Sequence, residues 1–407
     1  MEVITCVADL RELARRRIPK VMFDFALDGA HEQLTLRANR RDLSAIQFRQ
    51  RVGIDVSTRS MATTILGQEV SMPLALAPTG LCGLYHADGE VLAARAAQAF
   101  GIPFCLGTMS ICPIEHVRAE VQQPFWFQLY AMRDRKLSES LLERALAAQC
   151  HVLVIAMDTP IPSERYRDFK NGLSVPPQVT MRNVWDVITK PAWTWGVLFG
   201  RQRAYGNLVG YMPGHSQRSS LLRWIGRHGE SNMRKLRNLD PALTWREVES
   251  FRRRWPGKLV LKGITDAEDA KLGASCGADG IIVSNHGGRN LDGGPSTISV
   301  LPEIVDAVGD KLEVLFDSGI ESGHDVLKAL ALGARACLIG RAYLWGLAAR
   351  GEAGVTKVLE IIRKELDIAM AMTGTCDLRK LSRDVVRQAS VPTRRSSVAE
   401  VEEQGLG

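Results

Sequence analysis

Short apolar runs alternate with amphipathic stretches along most of the chain. Runs of branched and apolar residues stand at 74–78, 104–108, 125–130, 152–158, 259–263, 281–286, 314–319 and 337–340. The clearest of them, Ala278-Asp279-Gly280-Ile281-Ile282-Val283, is apolar enough to be buried on both faces, as strands of a parallel sheet are. Between most of the runs lie stretches with helical spacing, at 89–99, 136–148, 267–276 and 323–332. Eight strand–helix units predict an α/β fold, a TIM (β/α)8 barrel with an N-terminal helical cap and a long insertion between strands four and five. The rival is a doubly wound open sheet, which rarely places polar residues at the ends of so many strands. Here seven runs end in residues suited to chemistry: Thr79, Thr108, Gln128 with Tyr130, Asp158, Lys262, His286 and Asp317.

The sixth run empties into Ser284-Asn285-His286-Gly287-Gly288-Arg289-Asn290. That loop sets an imidazole and a guanidinium three positions apart at a strand end. A base beside an anion clamp suggests proton abstraction from a carboxylate-bearing substrate. A solvated surface loop is the alternative for this segment alone, and the recurrence of polar strand ends weighs against it.

With 407 residues, 45% of them hydrophobic, the chain can bury a full barrel core and still carry extra segments. The stretch 9–17 reads as a basic helix capping the barrel, and 42–48 as part of the connection leading to it. One catalytic domain over 1–380 and a flexible tail over 381–407 are expected, since the tail has too few apolar residues to bury. The eight cysteines show no CxxC pair or zinc spacing and read as reduced, mostly buried thiols. The first residues lack the apolar core of a signal peptide, and no run approaches the length of a membrane span, so a cytosolic protein is expected.

Charge changes this picture once it is located. Residues 181–240 carry ten Lys or Arg against three acids, which accounts for the chain's whole net charge of +7. The same stretch holds four of the eight tryptophans: Trp185, Trp193, Trp195 and Trp224. Tryptophan mixed with basic residues suits an anionic membrane surface, where each cation adds roughly 1 kcal/mol. The competing reading is an insertion that packs on the barrel or on a neighbouring subunit. No nucleic-acid-binding motif accompanies the charge, and no nucleic-acid partner is expected.

Several spaced motifs now point one way. They are Ile18-Pro19-Lys20, Ser71-Met72-Pro73 before Ala77-Pro78-Thr79-Gly80, Trp126-Phe127-Gln128-Leu129-Tyr130, Asp158-Thr159-Pro160, Lys262-Gly263, the Ser284 loop, Asp317-Ser318-Gly319 and Ile339-Gly340-Arg341. Over roughly residues 10 to 380 the chain resembles the FMN-dependent 2-hydroxy acid dehydrogenases and oxidases, with 346–352 most like the mandelate and lactate dehydrogenase branch. The resemblance implies FMN as cofactor, a small 2-hydroxy acid as substrate and a homo-oligomer. It also implies contact of 181–240 with the inner face of the cell membrane and a quinone or other electron acceptor there.

Carried over residue by residue, the resemblance makes His286 the base and Asp158 the stabiliser of its imidazolium. Arg165 and Arg289 would grip the substrate carboxylate, and Tyr130 would bond the substrate oxygen. Lys262 would stand beside the flavin edge that gains negative charge, with a buried ion pair as its alternative role. Pro78, Thr79 and Gly80 would meet the flavin ring, and Thr108, Gln128 and Ser284 would supply side-chain hydrogen bonds. The phosphate would lie near Asp317, Ser318, Gly319, Glu321, Gly340 and Arg341. Gly80 stands where glycolate oxidases usually carry alanine, which leans toward a dehydrogenase.

Four positions depart from the pattern. Phe25 replaces a substrate-binding tyrosine, which favours a more apolar substrate end. Ala156 replaces a flavin-contacting threonine, and Asn290 replaces a glutamine. Glu321 replaces a phosphate-binding arginine, which turns an attraction into a repulsion unless it points to solvent or pairs with Arg341. These departures leave two alternatives open beside the dehydrogenase: an oxidase that releases hydrogen peroxide, and a barrel that has lost its cofactor and serves as a scaffold or partner subunit.

Overall fold

The computed structural model describes residues 3–172, 180–199, 205–208 and 239–388. Eight parallel strands form its centre: β1 (Leu74–Leu76), β2 (Cys105–Gly107), β3 (Trp126–Leu129), β4 (Val152–Ala156), β5 (Lys258–Ile264), β6 (Gly280–Val283), β7 (Glu313–Phe316) and β8 (Ala336–Ile339). From β2 to β8 each pairs with the next in sequence, and β8 pairs with β1. The remaining seam, between β1 and β2, is closed by a parallel bridge from Leu76 to Phe104 and by the Leu76 amide donating to the Pro103 carbonyl over 2.9 Å. The ring of strands is thus a barrel, as the pattern of runs predicts.

Because side chains alternate across a strand, each strand feeds two cores. Ala75, Cys105, Trp126, Val152, Val154, Val260, Ile282, Leu315, Ala336 and Leu338 fill the barrel. Their neighbours, among them Leu106, Phe127, Leu153, Leu261, Ile281, Val314 and Ile339, pack outward against the helices. Continuing the inward series toward the carboxyl ends reaches Gln128, Ala156, Lys262, Ser284 and Asp317, all buried. The alternation that fills the core therefore aims a polar layer into the barrel mouth.

The helices are cut by local signals. Asp134, Asp266 and Ser322 accept from the first-turn amides of Arg135–Ala147, Ala267–Ser275 and Gly323–Ala331, satisfying donors that a helix start leaves open. A short antiparallel pair, Thr63–Ile65 with Gln68–Val70, adds Ile65, Leu66 and Val70 to the barrel interior.

Two expectations are corrected at the edges. Residues 42–48 are the end of the helix Leu34–Ala45 followed by the strand Ile46–Phe48. Residues 386–388, expected in the flexible tail, pair antiparallel with that strand, Ile46 opposite Gln388. The rest of the tail, 389–407, lies outside the described residues. The N-terminal cap is three helices, Val7–Arg17, Lys20–Leu27 and Leu34–Ala45, and the first packs on the C-terminal stretch Arg341–Thr373.

The cap touches the base-bearing loop at one tight point. The Ala30 amide donates to the Gly288 carbonyl over 2.8 Å. Gly288 has a φ of +72°, and a Cβ there would lie 2.5 Å from the Leu36 nitrogen. Left-handed strain and overlap with backbone together predict that Gly288→Ala destabilises the fold by about 3 kcal/mol. The control is Gly53→Ala, since Gly53 shares the left-handed φ of +71° but has open space around it; it should cost about 1 kcal/mol. Unfolding midpoints of the two variants, compared with the parent, check the difference.

Candidate active site

At the barrel mouth three predicted residues meet in a line. The imidazole of His286 lies with Nδ1 3.2 Å from both carboxylate oxygens of Asp158 and Nε2 3.1 Å from the Tyr130 hydroxyl. Burial pushes the Asp158 carboxyl up, but the His286 ring, its hydrogen bond and Lys262 outweigh burial, and the carboxyl titrates below its ordinary value. Asp158 is therefore an anion at neutral pH. A carboxylate on Nδ1 fixes the tautomer with its proton there and leaves Nε2 to accept. Burial, followed by the Asp158 charge, pushes the Tyr130 phenol up to about 12, so it stays a proton donor.

The histidine is held in an unusual backbone state. Its φ is +58°, a left-handed conformation that non-glycine residues adopt rarely and that surrounding bonds must maintain. The Ser284 hydroxyl accepts from the His286 amide over 3.1 Å, and the Ser318 hydroxyl accepts from the Gly287 amide over 2.9 Å. The Asn39 and Asn285 amide groups bond each other reciprocally at 2.9 and 2.8 Å. Behind the loop, Asn290 donates to the Asp158 carbonyl over 2.8 Å and to Thr159 over 2.9 Å. Gly263 allows Asp158 its place, because a Cβ there would sit 2.4 Å from the carboxylate carbon.

Three guanidiniums converge beside this line. Arg165 and Arg289 place their guanidinium carbons 5.0 and 4.9 Å from the centre of the Phe25 ring. Arg289 also donates to the Phe25 carbonyl over 2.7 Å, and Arg165 donates to Asp168 over 2.6 Å. Burial, then Arg165 and then Arg341, pushes Arg289 down to about 9, while burial pushes Arg341 to about 10. The charged forms are thus under strain that an incoming anion would relieve.

Arg341 itself was expected at a phosphate. Its guanidinium instead donates to the carbonyls of Ala26, Gly287 and Asp28 at 2.7, 2.9 and 3.0 Å, fastening the cap to the loop. Glu321, expected to repel a phosphate unless it pointed to solvent or paired with Arg341, lies half-buried with its carboxylate 3.9 Å from Arg40, and its charge also favours the Arg341 cation. Arg40 also binds Asp325 at 2.8 Å and the Gly319 carbonyl. Neither Arg40 nor Asn39 stood out in the sequence. The one available signal was an asparagine inside a helical stretch, where its propensity is poor.

Opposite the arginines, Lys262 is 4% exposed. Burial opposes its charge, but Asp317 at 3.1 Å and Asp158 more than offset this, raising its pKa. It also donates to Ser284 over 2.7 Å. The ion pair and the site position therefore coexist. Thr108, expected to bond a flavin, donates to the Gln128 carbonyl over 2.7 Å and accepts from the Tyr130 amide over 3.0 Å, locking β2 to β3. Gln128 is different, for its buried Nε2 has no partner. Such a donor costs about 1–3 kcal/mol unless something fills the mouth and accepts from it. An orphaned amide and a buried cation, with Gly107 beside Gln128 and Ala156 beside Lys262 in the strand register, fit a flat ring bearing hydrogen-bond acceptors and an edge that gains negative charge. Ala156 leaves its wall without a hydroxyl.

Comparison with known proteins accords with this geometry. Residues 14–388 match the sequence model of the FMN-dependent dehydrogenases. An L-lactate dehydrogenase of Caulobacter vibrioides (strain NA1000 / CB15N) is 46% identical over 387 residues, 95% of this chain and 98% of that protein. An L-lactate dehydrogenase of Caulobacter sp. (strain K31) is 44% identical over 94% of this chain and 98% of its own. Among solved structures, the monotopic membrane protein (S)-mandelate dehydrogenase superposes with a TM-score of 0.87 at 36% identity, covering 95% of this chain and all of that one. A mandelate oxidase solved with (S)-4-hydroxymandelic acid reaches 0.79 at 35% identity, covering 94% and 98%. With its barrel, its polar mouth and a match along nearly its whole length, this chain belongs to the FMN-dependent dehydrogenases.

Proposed function

We propose that the chain oxidises an L-2-hydroxy acid of the lactate or mandelate type to the 2-oxo acid and passes the electrons to an acceptor other than oxygen. The observation that carries the reading is the Asp158–His286–Tyr130 line set beside paired arginines. His286 Nε2, left as the acceptor because Nδ1 donates its proton's hydrogen bond to the Asp158 carboxylate, removes the substrate proton, and Asp158 stabilises the cation that forms. Arg165 and Arg289 bind the substrate carboxylate with forked donors. Tyr130, protonated, bonds the substrate oxygen on which charge develops. FMN, when bound, would supply the two-electron acceptor; Lys262 would stand by the edge that gains negative charge, and Gln128 Nε2 would donate to a ring acceptor. Thr79, Gly80 and Gly340, just past the ends of β1 and β8, would meet the flavin ring. An intact base, a buried cation and an orphaned amide argue for a working flavoenzyme over a scaffold.

The segment after β4 supports a peripheral membrane site. Trp185 and Trp195 are 68% and 72% exposed, with Met181, Ile188 and Phe169 also exposed, whereas Trp193 is buried and donates to the Leu84 carbonyl over 2.7 Å. One tryptophan thus anchors the segment to the barrel while others face outward, the arrangement a headgroup layer would take up. Among the described residues no helix is long and apolar enough to cross a membrane. Trp224 and most of the basic residues of 181–240 lie outside the described residues. Contact with the membrane would place the barrel near a quinone acceptor. The likeness to a mandelate oxidase sustains the peroxide-releasing alternative.

The test is the flavin absorption of purified protein under anaerobic addition of L-lactate and, separately, L-mandelate. One of the two should bleach the band, and His286→Ala should retain the flavin yet bleach at least about 10³-fold more slowly. Peroxide released in air at the rate of substrate turnover would move the assignment to an oxidase.

Arg289 yields a second expectation. Below about 9 it is charged in the folded and the unfolded chain alike, so its burial and repulsion weaken the substrate-free fold at neutral pH. That cost fades only as pH rises through the depressed folded value. Oxalate, a small carboxylate, should therefore raise the unfolding midpoint at pH 7, and markedly less so in Arg289→Met.

Phe25 yields a third. Phe25→Tyr restores a donor beside the two guanidiniums, worth about 1 kcal/mol in carboxylate binding. The expected result is a KM for L-lactate lowered about fivefold with kcat little changed, read from steady-state rates.

A further inference from the structure

Away from the barrel mouth, Asp88, Cys112 and His116 converge at the start of the helix Gly89–Phe100. One ligand atom from each lies within 4.8 Å of the other two. They arrive from two separate connections, Asp88 after β1 and the other pair after β2, where His116 sits in the first turn of Ile114–Glu120. We propose that these three side chains form a binding site for a borderline-soft divalent transition metal, Zn²⁺ in chemical class, which clips together the connections after β1 and β2.

The residue before a helix normally turns an Asp side chain onto the first-turn amides. Asp88 does not: it holds a left-handed φ of 54°, and its carboxylate caps no helix amide. Its carboxylate lies instead within 4.8 Å of the Cys112 and His116 ligand atoms. Glu90, itself buried, accepts from the Ile111 and Cys112 amides at 2.8 and 3.4 Å and so fixes the backbone that presents the thiol. A divalent ion would replace the thiol proton: one metal–sulfur bond forms, one S–H bond breaks, and the proton leaves to solvent.

The donor set selects the ion. Thiolate, imidazole and carboxylate with a water in fourth place suit tetrahedral Zn²⁺ or Co²⁺, whereas Mg²⁺ and Ca²⁺ demand oxygen alone. Bonds of about 2.0–2.3 Å require the ligand triangle to contract by about 1 Å, within reach of rotations at the two partly exposed ligands. Asp88 and His116 are also the way in, since Cys112 is wholly buried. The connections joined carry Thr79, Gly80 and Thr108, so the clip would stiffen one wall of the mouth. The proposal does not depend on which acid is oxidised.

The test uses the full-length flavin-loaded protein, stripped of adventitious metal and titrated with Co²⁺ and then Zn²⁺. One Co²⁺ per chain should bind with a thiolate-to-metal charge-transfer band in the near ultraviolet, displaced by Zn²⁺. Cys112→Ser should abolish the band. Asp88→Asn and His116→Gln, changes at partly exposed positions that keep the test intact if the buried variant misfolds, should each weaken Zn²⁺ binding at least about tenfold. Absence of the band at millimolar Co²⁺, or Zn²⁺ binding in Asp88→Asn and His116→Gln equal to the parent's, overturns the site.

Discussion

The constraint on which the site depends is the buried ammonium of Lys262. A cation with almost no solvent contact is tolerable only if charge and hydrogen bonds surround it. Asp317 supplies the charge at 3.1 Å and Ser284 an acceptor at 2.7 Å. The same two residues then build the base-bearing loop. Ser284 accepts from the His286 amide, while Asp317 accepts from the Ser318 hydroxyl at 2.7 Å, and that hydroxyl in turn accepts from the Gly287 amide. The network that neutralises Lys262 is therefore the network that maintains the left-handed backbone at His286. Removing either partner of such a pair leaves a buried charge, at a cost of about 3–5 kcal/mol, and would loosen the base as well.

Charge in the mouth is also separated by function. Lys262 and Asp317 balance one another on one wall, and Asp158 serves the histidine. The three guanidiniums stand apart, with Asp168 paired to Arg165, and with Glu321 and Asp28 acting on Arg341. Asp168 and Asp28 each keep one buried oxygen without a donor, so compensation there is incomplete by construction. A neutral site would bind a carboxylate weakly, and a fully paired one would have to break its own bonds first. Partial pairing leaves positive potential where a substrate anion is needed, while Phe25 between two guanidiniums screens their repulsion with the face of its ring.

What the sequence made legible follows from how far each cause reaches. Barrel strands and surrounding helices depend on periodicity and caps within a few residues, and their ends fall within three residues of the expected ones. His286, Asp158, Tyr130, Arg165 and Arg289 could be placed together because each follows a strand whose carboxyl end must face the same mouth. The pairing of Ile46–Phe48 with 386–388 could not, since two three-residue strands carry almost no signal and the partner lies at the far end of the chain. The helix Leu34–Ala45 was obscured by a left-handed Gln33 without a side-chain cap. The inner hairpin at 63–70 mixes polar and apolar residues, and its plugging role appears only against the barrel floor.

The departures at Phe25 and Glu321 show the same limit from the other direction. Read singly, Glu321 places a negative charge where a phosphate-binding cation was expected. In the fold its near neighbour is Arg40, a residue 281 positions earlier in the chain, which also holds Asp325 and the Gly319 carbonyl. The acid is thereby drawn into a cap contact, and its charge is met by a cation that no local pattern links to it. Phe25 loses a hydroxyl but gains two stacked guanidiniums, an exchange of one directional bond for two less directional attractions. In this chain the cap is part of the site, and the stability of its docking sets how well the mouth is formed.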